Sequence, residues 1–340
     1  MKDLLEVCCG LDVHKDNVVA CLLTGQLGSD PVDEILEFST LLSGLDKLKS
    51  WLIENNCRDI AMESTGVYWF QIYNVLESMF ADEGGVNITV TNPHHMKNVP
   101  GKKTDPNDAR WIAKLLRAGL LDPSYIPPRN VRELRDWTRY RKTLVAEMTG
   151  HKNRIEKQLQ LCGFKLSTFL SDIFGMSGMA IIKRLCTVGY VLVADLDLIV
   201  QGTAKKKIPE LRQALNGKLS VHEREFLSML VRIYEQNLVE IERVEAKIME
   251  CAQKYDAAVT LLETIPGISN LSAVSIISEV GTNLSMFPTA GHLCSWVGLS
   301  PGNNESAKKE INSDYAGEQL FEKRVVSMCM GIKSVEEELS

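Results

Sequence analysis

The stretch LEVCCGLDVHKDNVVACLLT, residues 5–24, contains two apolar runs separated by the polar segment 14–16. Each run has the length and the β-branched content of a strand, so the stretch predicts a β-hairpin. Asp12 interrupts the apolar character at the end of the first run. A carboxylate there is costly to bury unless it is paired or binds a metal ion. Asp12 is therefore the first candidate site residue.

The sequence that follows predicts a mixed sheet with helices packed on it. We expect the order β-β-β-α-β-α-β-α, with an α/β fold class for this part of the chain. EILEFST (34–40) predicts a third strand, and CRDIAMEST (57–65) predicts a short buried strand that ends at Glu63. The other elements predicted are helices at 41–56 and 67–80 and a strand at 85–91.

TDPNDARWIAKLLRAGLL, residues 104–121, predicts an amphipathic helix with Thr104 as its N-cap. Asp105 and Asp108 are three residues apart and share one helix face. In such a sheet, acids at strand ends and at a helix start can converge on one place. Two acids that simply favour the helix dipole are the alternative interpretation.

Composition describes an ordinary globular chain: of 340 residues, 45% are hydrophobic and 24% are charged. This length favours two domains over one. No apolar run approaches the roughly 18 residues of a membrane span, and the amino terminus lacks the layout of a secretory signal. The nine cysteines are scattered without a metal-ligand spacing, which predicts reduced thiols and a cytoplasmic protein.

Positive charge is concentrated in one part of a chain whose net charge is −6. Residues 97–157 contain 15 Lys and Arg against 7 acids, which gives +8 there and −14 elsewhere. Such a stretch suits contact with a phosphate backbone. A solvated helical face is the alternative. The candidate nucleic-acid-binding residues in this stretch are Lys97, Lys102, Lys103 and Arg110.

The second half of the chain predicts helices. Residues 130–161 form one long polar segment, and residues 221–255 carry a heptad-like apolar pattern. The two predicted helices could pair with each other in antiparallel orientation, or with a second copy of the protein. LLETIPGISNLSAVSIISEVGT (261–282) has a helix-hairpin-helix pattern whose turn at Gly267 can hold a phosphate. An ordinary αα-hairpin is the alternative. Ser306 lies in a polar loop with no His–Asp arrangement to activate it.

Four separated motifs, taken together, resemble the DEDD-type insertion-sequence transposases, the Piv-like group that includes the bridge-RNA-guided recombinases. The matching stretches are GLDVHKD (10–16), ESTGVYW (63–69), NPHHMKNVPGKKTDPNDARWIAKLL (92–116), and LLETIPGI (261–268) with AGHLCSWVGLSPGNNESAKK (290–309). The resemblance implies an RNase H/RuvC-like catalytic domain (1–128), a coiled-coil region (129–256) and a small helical carboxy-terminal transposase domain with a helix-hairpin-helix (257–340).

The resemblance also implies a function, namely cutting and rejoining of DNA strands by an insertion-sequence transposase or recombinase. Its implied partners are DNA, a structured guide RNA and further copies of the chain, as a dimer or tetramer at the nucleoid. The implied Mg²⁺ ligands and catalytic acids are Asp12, Glu63, Asp105 and Asp108. Ser306 falls where the family places its nucleophilic serine, and a metal ion with acids could activate it without a histidine.

The chain departs from the family pattern after Lys309, where an acidic segment replaces the usual basic, glycine-containing one, and Ala307 stands where glycine is common. One alternative function is an inactive nucleic-acid-binding remnant. Another is an RNase H-like nuclease or resolvase that uses water as the nucleophile. A sugar-kinase-like ATPase would need a second Gly-rich phosphate-binding repeat, which the sequence lacks.

Overall fold

The structure is a computed structural model that describes residues 3–64, 66–81, 85–92, 108–287, 289 and 292–293. The chain divides into two compact units, Met1–Ile126 and Pro127–Ser340. The sequence predicted a domain boundary after residue 128, and the structure has the boundary two residues earlier, after Ile126. The separation of residues 129–256 from 257–340 stays a prediction. In the described part of the chain, no helix has both the length and the apolar character that a bilayer span requires.

The first unit is built on a five-stranded mixed sheet, and its elements follow the predicted order. They are β1 (Val7–Val13), β2 (Asn17–Thr24), β3 (Val32–Ser39), α1 (Leu42–Glu54), β4 (Asp59–Glu63), α2 (Tyr68–Met79), β5 (Asn87–Thr91) and α3 (Asp108–Arg117). The strand order is β3-β2-β1-β4-β5. β1, β2 and β3 form an antiparallel meander, and β4 pairs parallel with both β1 and β5. The carboxyl ends of β1 and β4 therefore meet at one edge.

Helices cover both faces of this sheet. α1 and α2 bury one face, where Leu11 of β1 and Met62 of β4 share a continuous apolar core with Leu48 and Ile72. α3 buries the other face through Ile112, Ala113 and neighbouring residues against Cys8, Cys21 and Ala61. Because β1 and β4 are buried on both faces, they lack the apolar–polar alternation of a half-exposed strand.

Gly10 allows α3 to lie directly on β1. A Cβ atom at Gly10 would stand 2.2 Å from the carbonyl oxygen of Ala109 and 2.4 Å from the nitrogen of Ala113. Real side chains do not tolerate such distances to backbone atoms, so only glycine permits this approach. The Sγ of the neighbouring Cys8 lies 3.5 Å from the carbonyl oxygen of Ala113. The backbone contact at Gly10 thus sets the depth of α3 on the sheet.

The predicted helix of residues 104–121 extended too far at its carboxyl end. α3 ends at Arg117 because Gly119 adopts a left-handed conformation with φ +65°. The Gly119 nitrogen donates to Leu116 O at 2.9 Å and the Leu120 nitrogen to Leu115 O at 3.0 Å, which is a Schellman termination. The start proposed at Thr104 lies outside the described residues.

The second unit is helical throughout its described elements. These are α4 (Arg129–Leu161), α5 (Met176–Val188), α6 (Val193–Ile199), α7 (Ile208–Ala214), α8 (Val221–Ala252), α9 (Asp256–Glu263) and α10 (Asn270–Val280). α8 begins at a capping box, in which Ser220 Oγ accepts from Glu223 N at 3.2 Å and Glu223 Oε2 accepts from Ser220 N at 2.7 Å. Hydrogen bonds from Ser220 to the carboxylate lower the pKa of Glu223.

The two long helices α4 and α8 pack against each other in opposite directions within one chain. Arg141, in the first half of α4, pairs with Glu245, near the end of α8, at 2.6 Å. Ile155 and Leu159, late in α4, share a core with Leu227 at the start of α8. The short helices α5, α6 and α7 complete this core. The antiparallel alternative is therefore the one that the structure contains, while coiled-coil geometry stays a prediction.

We expect Gly10→Ala to lower the free energy of unfolding of the first unit by about 1–3 kcal/mol, because the added methyl group must push α3 away from β1. Gly150→Ala is the matched control. Gly150 lies within α4, and a Cβ atom built there would have Arg154 Nη1 as its nearest neighbour, at 3.7 Å. That change should be neutral or stabilising by up to about 1 kcal/mol. Urea unfolding followed by circular dichroism measures both, and equal effects would contradict the role assigned to Gly10.

Candidate active site

Asp12 and Glu63 lie at neighbouring positions on the edge where β1 and β4 end. The parallel register pairs Gly10 with Ala61 and Leu11 with Met62, so Asp12 and Glu63 are the next residues on the two strands. Leu11 and Met62 point into the core under α1 and α2. Since side chains alternate along a strand, Asp12 and Glu63 project toward the α3 face.

Asp108 reaches the same edge from a different element. α3 runs antiparallel to β1, because Leu4 N donates to Arg117 O at 2.8 Å at one end. At the other end the Ala109 carbonyl oxygen lies over Gly10. Asp108 opens the helix one residue before Ala109, so the helix start is level with the end of β1. Three of the four predicted acids are thus brought to one edge by the sheet register and by the packing of α3.

The carboxylate of Asp12 is partly shielded and has a histidine as neighbour. Its side chain is 25% exposed, and His14 Nε2 lies 3.2 Å from Asp12 Oδ2. His14 belongs to the turn that joins β1 to β2 and is itself largely exposed. The turn thus holds a nitrogen ligand or proton donor beside the first acid. Sequence reasoning did not single out His14, although its position two residues after Asp12 was visible.

The acids at this edge offer hard oxygen donors, which is the ligand type that Mg²⁺ prefers. Within the described ranges, however, no three Asp, Glu, His or Cys side chains are grouped closely enough to hold a metal ion. The fourth predicted acid, Asp105, lies outside those ranges. The donor chemistry therefore fits a divalent cation, while the arrangement of the full ligand set stays a prediction.

Several other predicted site residues lie outside the described residues, and their roles stay predictions: Lys97, Lys102, Lys103 and Ser306. Arg110 is described. Its guanidinium forms an ion pair with Asp33 of β3, so a phosphate at Arg110 would compete with an existing partner. Gly267 is also described and lies in the turn between α9 and α10 with φ +91° and open space around its Cα. α9 ends at Glu263 and α10 begins at Asn270, so a turn between two helices is present there, while the helix-hairpin-helix assignment stays a prediction.

Much of the positive charge counted in residues 97–157 serves the fold. Arg117 is 2% exposed. It donates to the carbonyl oxygens of Glu6, Gly25 and Gln26 at 2.9–3.2 Å. Arg141 pairs with Glu245. A count of charges along the sequence therefore overstates the charge that is available to a polyanion.

Two more arginines of this stretch fix α10 onto α4. Arg135 donates to the carbonyl oxygens of Ser278 at 3.0 Å and Glu279 at 2.7 Å. Arg139 holds the carboxylate of Glu279 in a bidentate pair at 2.8 and 2.9 Å, which raises the pKa of Arg139. Because carbonyl groups at a helix carboxyl end lack helical partners, these cations stabilise the end of α10.

The buried cysteines of the sheet do not supply a nucleophile. The seven described cysteines are free, and Cys8, Cys9, Cys21 and Cys57 are buried. Burial raises the pKa of both Cys8 and Cys57 to about 12 and that of Cys21 to about 11. A thiol with such a pKa stays protonated near neutral pH and is a poor nucleophile. These residues act as small apolar side chains of the sheet core.

The order of the strands and the acids at the sheet edge are consistent with an RNase H-like fold of the DEDD type, joined to a helical carboxy-terminal region. A family model of DEDD transposases of the IS110 type, described as "Transposase", matches residues 9–163. A second model, "Transposase IS116/IS110/IS902 family", matches residues 259–316. The chain belongs to the IS110-type transposase family.

Two curated relatives are similar to part of the chain. The pilin gene-inverting proteins of Moraxella bovis and Moraxella lacunata are each 23% identical to it over 134 residues. Each match covers 37% of this chain and 41% of the relative. The chain thus matches less than half the length of these relatives, whose printed name describes the inversion of a pilin gene.

We expect Arg135→Met to loosen α10 from α4 at a cost of about 1–3 kcal/mol, because two carbonyl groups lose a charged donor. Hydrogen exchange measured by mass spectrometry should then show faster exchange of the amides in residues 270–280. Arg129→Met is the matched control, since Arg129 makes an exposed pair with Glu133 on the same helix. Such pairs contribute at most about 1 kcal/mol. Unchanged exchange in the Arg135 variant would contradict the role assigned to Arg135.

Proposed function

We propose that the chain is a transposase or recombinase that cuts and rejoins DNA strands of an insertion sequence, with Asp12, Glu63, Asp105 and Asp108 as its catalytic acids. The observation that supports the proposal is that strand register and helix packing put Asp12, Glu63 and Asp108 at the same edge of the sheet. Acids at an exposed edge suit a phosphodiester whose charge is neutralised by a divalent cation.

The acids would hold Mg²⁺, which when bound offsets the charge that develops on the phosphate. The chain's own contribution is to keep the carboxylates fixed, with Asp12 beside His14 and Asp108 at the first turn of α3. Carboxylates that are in place before the reaction would need no rearrangement when the charge on the phosphate develops.

The nucleophile in this proposal is Ser306. Its Oγ forms a bond to phosphorus and releases the hydroxyl proton, while one bridging phosphorus–oxygen bond breaks and the departing deoxyribose oxygen takes up a proton. A deoxyribose hydroxyl of a second strand then attacks the phosphoserine ester and restores the serine hydroxyl. The number of phosphodiester bonds is conserved, so the exchange requires no external energy source.

We further propose that a structured guide RNA and a second copy of the chain take part, with α4, α8 and the turn at Gly267 as contact regions. The turn supports this because its backbone is open, with no atom within 4 Å of a Cβ built at Gly267. Its N–H groups can bind a phosphate without reading sequence. In a cell the protein would act at the nucleoid, where its DNA substrate lies.

The test is a strand-transfer assay with Mg²⁺, donor and target DNA and the RNA encoded beside the element. We expect Asp12→Asn to abolish the joined product, because the edge then loses one carboxylate ligand. Asp30→Asn is the matched control: Asp30 is exposed in the β2–β3 turn, at the opposite edge of the same sheet. Full activity of the Asp12 variant would refute the role of the acids.

Ser306→Ala separates the recombinase from a nuclease that uses water. If the serine is the nucleophile, the variant forms neither the joined product nor a covalent protein–DNA adduct, and the unmodified chain forms both. Denaturing gel electrophoresis of labelled DNA detects the adduct. Cleavage that persists in the Ser306 variant without an adduct would assign the reaction to water and replace the recombinase by a nuclease.

A further inference from the structure

Two helices begin at the same sheet edge as the acids. β3 ends there at Ser39, and Thr40 N donates to Asp16 O at 3.1 Å in the β1–β2 turn. α1 starts two residues later, at Leu42, and α2 starts at Tyr68 after β4 has ended. Gln71 Nε2 donates to Thr40 O at 3.0 Å, which ties the first turn of α2 to the start of α1.

The starts of these helices expose apolar side chains that the fold does not use. We call this group the apolar corner; its members are Leu41 (70% exposed), Leu42 (65%), Val67 (69%), Tyr68 (44%) and Phe70 (46%). Neither helix carries an acid in its first turn. Single exposed apolar residues are common, but a group of five at one edge indicates a surface that another molecule covers.

Phe70 is the member with the most defined geometry. Its ring stacks on Trp69 with a centroid distance of 3.8 Å and an interplanar angle of 26°. Trp69 is 7% exposed and belongs to the core under α1 and α2. One face of Phe70 is therefore fixed against a buried ring, while much of the remaining ring surface faces solvent. A flat aromatic surface anchored in this way is suited to stacking.

We infer that Phe70, bordered by the rest of the apolar corner, stacks on an unpaired nucleobase of the nucleic acid whose phosphodiester lies at the carboxylate edge. The inference rests on the proposed function, because it takes its occupant from that phosphodiester. The acids project toward the α3 face and Phe70 lies on α2 at the opposite face, so a strand that engages both crosses the sheet edge. The base of such a strand presents a flat surface to the Phe70 ring. Stacking of bases on aromatic side chains is tolerant of sequence and strong enough to hold a strand.

The first test is binding of a short single-stranded DNA to the full chain in the presence of a chelator, followed by fluorescence anisotropy. We expect Phe70→Ala to weaken binding about tenfold, the order that loss of one stacked base produces. Phe70→Trp should restore it. Leu27→Ala is the matched control, since Leu27 is an apolar residue of the β2–β3 turn, at the opposite end of the sheet, and is 52% exposed. That variant should bind as the unmodified chain does.

The second test replaces the bases of the oligonucleotide one at a time by abasic positions. At one position the abasic substitution should greatly weaken DNA binding by the unmodified chain and leave binding by the Phe70→Ala variant unchanged, because the ring and the base form a single interaction. Equal binding by the Phe70→Ala variant would overturn the inference. So would an equal loss with fully paired DNA, or a Phe70-dependent change of oligomeric state in sedimentation, which would assign the corner to a second copy.

These measurements are independent of catalysis. Binding without metal does not require the acids or Ser306. If Phe70→Ala weakens DNA binding but the unmodified chain has no strand-transfer activity, the proposed function alone is refuted. Strand transfer that is normal in the Phe70→Ala variant, together with unchanged binding, would refute the stacking role alone.

Discussion

The candidate site depends on the close approach of the α3 backbone to β1 at Gly10, which has no side chain to keep them apart. β1 lies in the middle of the sheet and carries Asp12 at its end. α3 carries Asp108 at its start. The two chain segments are far apart in sequence, and what aligns them is that the carbonyl oxygen of Ala109 and the nitrogen of Ala113 lie where a Cβ of Gly10 would be. Because this contact is between backbones, it fixes the helix more firmly than flexible side chains would.

Most of the first unit could be predicted from local patterns. The apolar runs of β1, β2 and β4 and the amphipathic pattern of α1 appear where strands and a helix were expected. Strand order and the pairing of β1 with β4 could not be obtained in that way, since the alternation of one strand carries no information on its neighbours. The edge position of β3 is consistent with its acids, since an exposed strand edge with charges resists pairing with other chains.

The site was predictable in part for a physical reason. Asp12 and Glu63 interrupt apolar strands, where a carboxylate is costly to bury unless it is paired or binds a metal ion. The sequence alone therefore marks both residues as candidates. Arginine partners are different, because a guanidinium gives no sign in the sequence of whether it will be buried. Arg117 and Arg135 look like surface charges in the printed chain, yet each donates to backbone carbonyl groups distant in sequence. Gly10 was an overlooked signal, since glycine inside a strand often marks a close backbone approach.

The two kinds of surface at the sheet edge restrict the form of nucleic acid that the proposed function can use. Carboxylates with a divalent cation bind a phosphate equally in paired and unpaired strands, because phosphates lie on the outside of both. The ring of Phe70 differs, because the bases of a duplex are already stacked on each other and present only their edges in the grooves. Under the proposals made above, a strand that engages both surfaces has been opened beforehand. Pairing of a guide RNA with one DNA strand would open it in this way, since the complementary strand is left unpaired.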